Sequence, residues 1–155
     1  MKLSMTYSVK IKRLNHIFAD TVRLYRQAVS FFMDVCLQEW DTVSSGKSQK
    51  ERVNLMESFT VISKKNPSVS YDFGADFYKF PSYLRRAAIA EALGKVSSYR
   101  SNLARWEAAD PASRGEKPGL PQAGIIYPAM YRENMFIRTG TYQAALKVFI
   151  RNTWD

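Results

Sequence analysis

The 155-residue sequence has one cysteine and one histidine. Cys36 alone can form no internal disulfide and no cysteine-rich metal site. His16 alone can build neither a Ser-His-Asp triad nor a histidine metal trio, so capping-region packing is its expected role. No segment stays apolar for the ~20 residues that a membrane span needs. Met1 to Val9 alternates polar and apolar residues and never builds the apolar stretch of a signal peptide. A reducing cytoplasm is therefore expected. Acidic side chains are also scarce, 14 against 23 Lys and Arg, which leaves a net charge of +9 and a pI near 9.7.

The imbalance is uneven. Residues 1–40 carry 6 basic and 3 acidic side chains, 41–80 carry 6 and 5, 81–120 carry 7 and 4, and 121–155 carry 4 and 2. A nearly neutral middle flanked by basic parts predicts a polyanionic partner, nucleic acid rather than a membrane. Hydrophobic content of 46%, with 14% aromatics, is enough to bury a core and argues against a disordered chain.

The opening has period 2. Leu3, Met5, Tyr7, Val9 and Ile11 point one way and Lys2, Ser4, Thr6, Ser8, Lys10 and Lys12 the other, which predicts a half-buried strand with a basic face. Asn15 can then cap a helix running to Trp40. Phe18, Val22, Tyr25, Val29, Phe32, Cys36 and Trp40 make one stripe of it, and Ile17, Leu24, Phe31 and Val35 a second. A helix with two stripes is covered from two sides and organises the domain. Cys36 lies on the first stripe as a small hydrophobe. Asp41–Lys47 reads as a loop. Ser48 to Glu51 reads as a capping box that starts a second helix, with Val53, Met56, Phe59 and Ile62 inward.

Residues 64–81 are irregular and aromatic, with rings expected to pack against the helices. Pro81 opens a third helix, with Leu84, Ala88, Ala92, Val96, Tyr99, Leu103 and Trp106 as its buried stripe. Gly94 weakens the interior of that helix and predicts close approach of another backbone. The prolines and glycines of residues 111–124 mark a surface loop. Strand chemistry returns from Ile125, with a hairpin over Met135 to Ile150, although Gln143-Ala144-Ala145 also suits a helical turn. The sequence stops on Asn152-Thr153-Trp154-Asp155 in mid-strand, which reads as the front part of something larger. A first strand far from its partners implies that the helices are an insertion and that both ends of the chain meet in one sheet.

Gly46-Lys47-Ser48 imitates the end of a phosphate-binding P-loop, but Asp41 stands where the motif needs glycine and a helix precedes it in place of a strand. Asp72 with Asp76, and Glu107 with Asp110, are pairs without a third ligand at useful spacing, so no two-metal site is visible. The basic flank of the third helix differs. Arg85, Arg86 and Arg100 share one sector beside Tyr99 and Trp106. Guanidinium forks match phosphate oxygens and rings stack on bases, although core packing is the expected role of the two rings.

Tyr25-Arg26-Gln27-Ala28-Val29-Ser30-Phe31-Phe32 resembles the Y-R-x-A-x-N-F segment of the OrfB (TnpB) family of transposon-encoded RNA-guided nucleases, relatives of type V CRISPR effectors. The stretch from Leu84 to Tyr99, with Trp106 further along, is similar to that family's recognition-lobe helix. Gly115 to Pro121 resembles its proline-glycine loop, with Gln122 and Ala123 replacing the aromatic and basic residues that usually follow. The resemblance covers essentially the whole chain. It implies an α+β fold with a partial, OB-like β-barrel (wedge) of N- and C-terminal strands interrupted by a three-helix recognition lobe. Residues 1–14 would be the first wedge strand, 15–110 the helical lobe, and 111–155 a loop and the remaining strands, truncated at the C-terminus.

Guide RNA and target DNA are the partners this implies, with self-association through exposed apolar surface as a further expectation and no membrane. Base pairing would read sequence while the protein holds shape and phosphates. Lys10, Lys12, Arg13, Arg85, Arg86 and Arg100 are the expected backbone contacts, with Arg26 as an additional candidate. Catalytic carboxylates, divalent metal and zinc-binding cysteines belong to the family's downstream nuclease lobe. This chain is thus expected to be no enzyme by itself and to need no cofactor. Two other classes fit the same residues: a stand-alone DNA-binding repressor module, or a helical protein-interaction domain.

Overall fold

The computed structural model describes residues 17–128, 135–141, 143–150 and 153–154. Five helices come first: α1 (Ile17–Gln38), α2 (Trp40–Ser44), α3 (Gln49–Thr60), α4 (Phe73–Asp76) and α5 (Ser82–Ala108). Short strands follow as β1 (Phe136–Arg138), β2 (Ala144–Leu146), β3 (Phe149–Ile150) and β4 (Thr153–Trp154). The class is α+β. No helix among the described residues is long and apolar enough to cross a membrane.

The core is the seam between α1 and α5. Tyr25, Val29, Phe32 and Cys36 of the first α1 stripe are buried, as is Val35 of the second. Leu84, Ala88, Ile89, Ala92 and Val96 of α5 are fully buried in the same cluster. Ala28, Ala88 and Ala92 contribute only methyl groups, which lets the two helix backbones approach closely. Burial of each larger side chain is worth about 1.5–3 kcal/mol. Burial also pushes the Cys36 thiol up to about 11, against the opposing pull of Arg100 and Arg52, so it stays neutral at physiological pH.

Helix α1 stops at Gln38, short of the expected Trp40, and the chain turns into α2 where a loop is expected. Glu39 N–H to Val35 O and Val43 N–H to Glu39 O, both 2.9 Å, carry the backbone across the junction. The turn sinks Val43 into the core, which repays its ordering. Ser48 then caps α3 as expected, its hydroxyl accepting from Glu51 N–H at 3.2 Å. The Glu51 carboxylate reaches back to Lys47 N–H at 2.8 Å, one residue beyond the cap. Gly46 is needed here for steric reasons, because a Cβ would stand 2.8 Å from Arg52 Cγ. The P-loop look-alike is thus a helix start. Val53 and Met56 are buried, Phe59 partly so, and Ile62 lies beyond the helix in the open.

The aromatic stretch packs as expected. Phe73 stacks on Phe32 with centroids 4.7 Å apart, and Phe77 stacks on Phe73 at 4.5 Å. Phe80 meets both edge-on, and Trp154 meets Phe80 edge-on at 5.0 Å. Tyr78, 74% exposed, is the exception. Asp72 caps the single turn of α4 through Gly74 N–H at 2.9 Å. Among the described residues no group of acidic, histidine or cysteine side chains is arranged to hold a metal ion.

Phe80, just before α5, is tied through Trp154 and its ribbon to the head of α1, where Thr21 Oγ1 accepts from Phe149 N–H at 2.7 Å. At the far end Arg100 of α5 reaches Leu37 O in the last turn of α1. These two helices therefore run in the same direction. The expected buried stripe of α5 holds as far as Val96, whereas Tyr99, Leu103 and Trp106 are only partly covered. Gly94 departs from expectation too: among the described residues no atom lies within 4 Å of a Cβ built there, so no neighbouring backbone of theirs approaches it.

The predicted hairpin is β1 paired antiparallel with β2, Phe136 opposite Leu146, and Gln143 O closes its turn by accepting from Thr139 and Gly140 N–H. Ala144 and Ala145 are strand rather than a helical turn. Residues 125–128, expected as strand, form no regular structure. A second ribbon pairs β3 with β4, and the two ribbons are separate sheets. No barrel is closed among the described residues. The predicted first strand, the Asn15 cap and His16 lie outside them.

Because Phe32 joins the α1–α5 seam to the ring cluster, Phe32→Ala is expected to cost about 3–5 kcal/mol in urea-induced unfolding. The same truncation at exposed Tyr78 should stay within about 0.5 kcal/mol.

Candidate nucleic-acid interface

Of the seven candidate cations, Lys10, Lys12 and Arg13 lie outside the described residues. Arg85 and Arg86, adjacent on the first turns of α5, are brought together by one carboxylate. Glu57 of α3 accepts from Arg85 Nη2 at 3.0 Å through one oxygen and from Arg86 Nη2 at 2.6 Å through the other. Both Nε groups add bonds at 3.2–3.3 Å. The Glu57 side chain is 16% exposed and that of Arg86 48%. Burial alone would raise the Glu57 pKa, but the hydrogen bonds and charges of Arg86 and Arg85 outweigh it and hold the carboxyl below its ordinary value. Two guanidinium groups on one carboxylate leave a net charge of +1. Arg86 carries that excess outward, lining a shallow 300 Å³ cleft with Lys50 and Asn54.

Arg100 and Arg26 stand apart from this pair and from each other. Arg100 lies 14 residues beyond Arg86 in sequence, about 21 Å along the helix at 1.5 Å per residue. Its Nη2 donates to Leu37 O at 3.2 Å and its guanidinium lies 6.0 Å from the Trp40 ring centroid. A cation on the last carbonyls of α1 is where the helix dipole favours one. Its Nε is buried with no partner among the described residues. Arg26 of α1 donates from Nε to Ile126 O at 3.2 Å and faces the Tyr127 ring at 5.6 Å, tying residues 126–127 to the bundle.

A second cluster did not emerge from the helical wheel. Trp106, expected in the core, stands half-buried near the end of α5 and donates from Nε1 to Gly115 O at 2.7 Å. The returning loop lays the Arg114 guanidinium 4.0 Å over the indole centroid, and Lys117 Nζ lies 5.9 Å away. Beside it the Pro118–Gln122 strap and one side of α5 border an open groove of about 520 Å³. Its walls carry Lys95, Ser98, Tyr99 and Asn102 from α5. The sequence signal was the proline-glycine loop. Its contact with Trp106 depends on how the loop returns, which periodicity does not encode.

A family model described as the Aq_aa04 family matches residues 5–150. Similarity also extends to the uncharacterized protein aq_aa04 of Aquifex aeolicus (strain VF5), 29% identical over 121 residues that cover 71% of this chain and 68% of the relative. No solved structure matches the chain.

Since the Glu57 pKa is lowered, the stability its carboxylate supplies is present above its ordinary value of 4.5 and lost as pH falls through the lower folded value. Urea midpoints measured from about pH 6 to about pH 3 should fall steeply below that point, and less steeply in Glu57→Gln. At neutral pH, Glu57→Gln is expected to be about 1–3 kcal/mol less stable than the parent chain.

Proposed function

The chain belongs to the Aq_aa04 family, and from that premise we propose that it is a nucleic-acid-binding domain that grips the sugar–phosphate backbone of RNA. The placing of charge carries the proposal. Residues 17–80, which hold α1 to α4, contain eight basic and eight acidic side chains, so all nine net positive charges fall in residues 1–16 and 81–155. A neutral frame flanked by basic segments suits a ligand that lies along one side of the molecule. Lys and Arg there would displace the counterions of a phosphate track. Support comes from this chain's own charge and geometry.

In its finer form the proposal is the one the OrfB resemblance implies. Residues 1–14 would add a strand to the C-terminal ribbons as a partial barrel, and the helices would lie against a guide RNA and its target duplex. The order of helices before ribbons supports it. Catalysis and divalent metal would then belong to a nuclease lobe outside this chain. Lys10 and Lys12 on the basic face of the first strand, and Arg13 at its end, would touch phosphates. So would the outward edge of Arg86, with Arg85 behind it, and Arg114 with Lys117. Arg26 and Arg100, each of which gives one donor to a main-chain carbonyl, hold the frame.

Affinity for a structured RNA should fall linearly with salt on logarithmic axes, and Arg114→Ala with Lys117→Ala should flatten the slope by about 1–2. Filter binding across a potassium chloride series measures it. Salt-insensitive or absent binding contradicts the proposal. Tight binding to one duplex sequence without RNA would point instead to a repressor, and salt-independent oligomers to a helical interaction domain.

A further inference from the structure

We propose that the groove between α5 and the Pro118–Gln122 strap is a site for a single-stranded stretch of RNA, a refinement that rests on the nucleic-acid proposal above. Glu91, Lys95, Ser98 and Asn102 follow one another along this side of α5 at i, i+4, i+7 and i+11, and Trp106 continues the row one turn further. From Glu91 to Trp106 the row is about 22 Å long at 1.5 Å per residue. That is the length of about six nucleotides stacked at about 3.4 Å.

The chemistry along the groove is mixed in the way a single strand requires. Lys95 is its cation in the middle, 3.7 Å from Glu91, and Arg114 and Lys117 stand at the Trp106 end. Their charges suit phosphates. The amides of Asn102 and Gln122 and the hydroxyls of Ser98 and Tyr99 line the space between, where base edges and ribose 2′-hydroxyls need donors and acceptors. The groove's volume of about 520 Å³ lies within the range of ligand sites.

Gly94 is the independent observation. Glycine in the interior of a 27-residue helix weakens it relative to alanine, and nothing among the described residues requires the exchange. A Cβ at position 94 would meet no atom within 4 Å. The space it leaves open is the floor of the groove, and a strand lying there makes use of it.

Gly94→Leu tests this directly, because leucine favours the helix and its Cβ would meet no described atom within 4 Å, while its longer side chain would extend into the groove. The full chain carrying it should melt at or above the parent temperature, yet bind short oligouridylate at least about tenfold more weakly. Asn102→Ala should reduce the same affinity by a smaller factor. Salt-sensitive binding to a base-paired hairpin RNA should persist in both variants. Unchanged oligouridylate affinity in folded Gly94→Leu overturns the groove, and so does equally tight binding of oligothymidylate. Failure of the parent chain to bind any RNA would instead remove the proposal on which the groove rests.

Discussion

The described helices are held together by the seam in which α1 and α5 bury their apolar stripes against each other. Phe32, Leu84, Ile89 and Val96 supply the area, and Ala28, Ala88 and Ala92 supply the close approach. One end of the seam is tied at Phe80, through Trp154 and its ribbon, to Thr21, and packed rings run from there through Phe73 to Phe32. The other is closed by Arg100 on the last turn of α1. With both ends fixed, α5 becomes a rigid rail about 40 Å long at 1.5 Å for each of its 27 residues. The side of that rail not used for packing is free to carry a site.

The cations divide into two kinds on that frame. Arg85, Arg100 and Arg26 spend their donors on Glu57, Leu37 O and Ile126 O, which fixes helices and a returning strap to one another. Arg86 shares Glu57 but keeps half its surface in solvent. Arg114 and Lys117 lie on an indole face, where attraction to the ring orients them without neutralising their charge. An arginine on a helix flank can thus serve the fold or a ligand. Burial and the nearest acceptor decide which.

The frame was legible in the sequence because its signals are local and periodic. The two stripes of α1, the Ser48 cap and the start of α5 at Pro81 each follow from spacing or a single residue type. What spacing does not carry is where a loop returns. Trp106 looks like one more core aromatic until residues 114–117 fold back over its ring, and Gly94 looks like a close contact until no neighbour comes near it. The pairing of Arg85 and Arg86 with Glu57 crosses from one helix to another and is likewise invisible to a wheel drawn for one. The strand signals were legible as a hairpin, but three-residue strands bury too little to specify a sheet by pattern alone.

Amide hydrogen exchange on the full chain, with and without a structured RNA, tests the account most directly. Protection on binding is expected in the loop from Arg114 to Gln122 and on the adjoining turns of α5. Protection confined to α3 and α2, or none at all when RNA is bound, would contradict it.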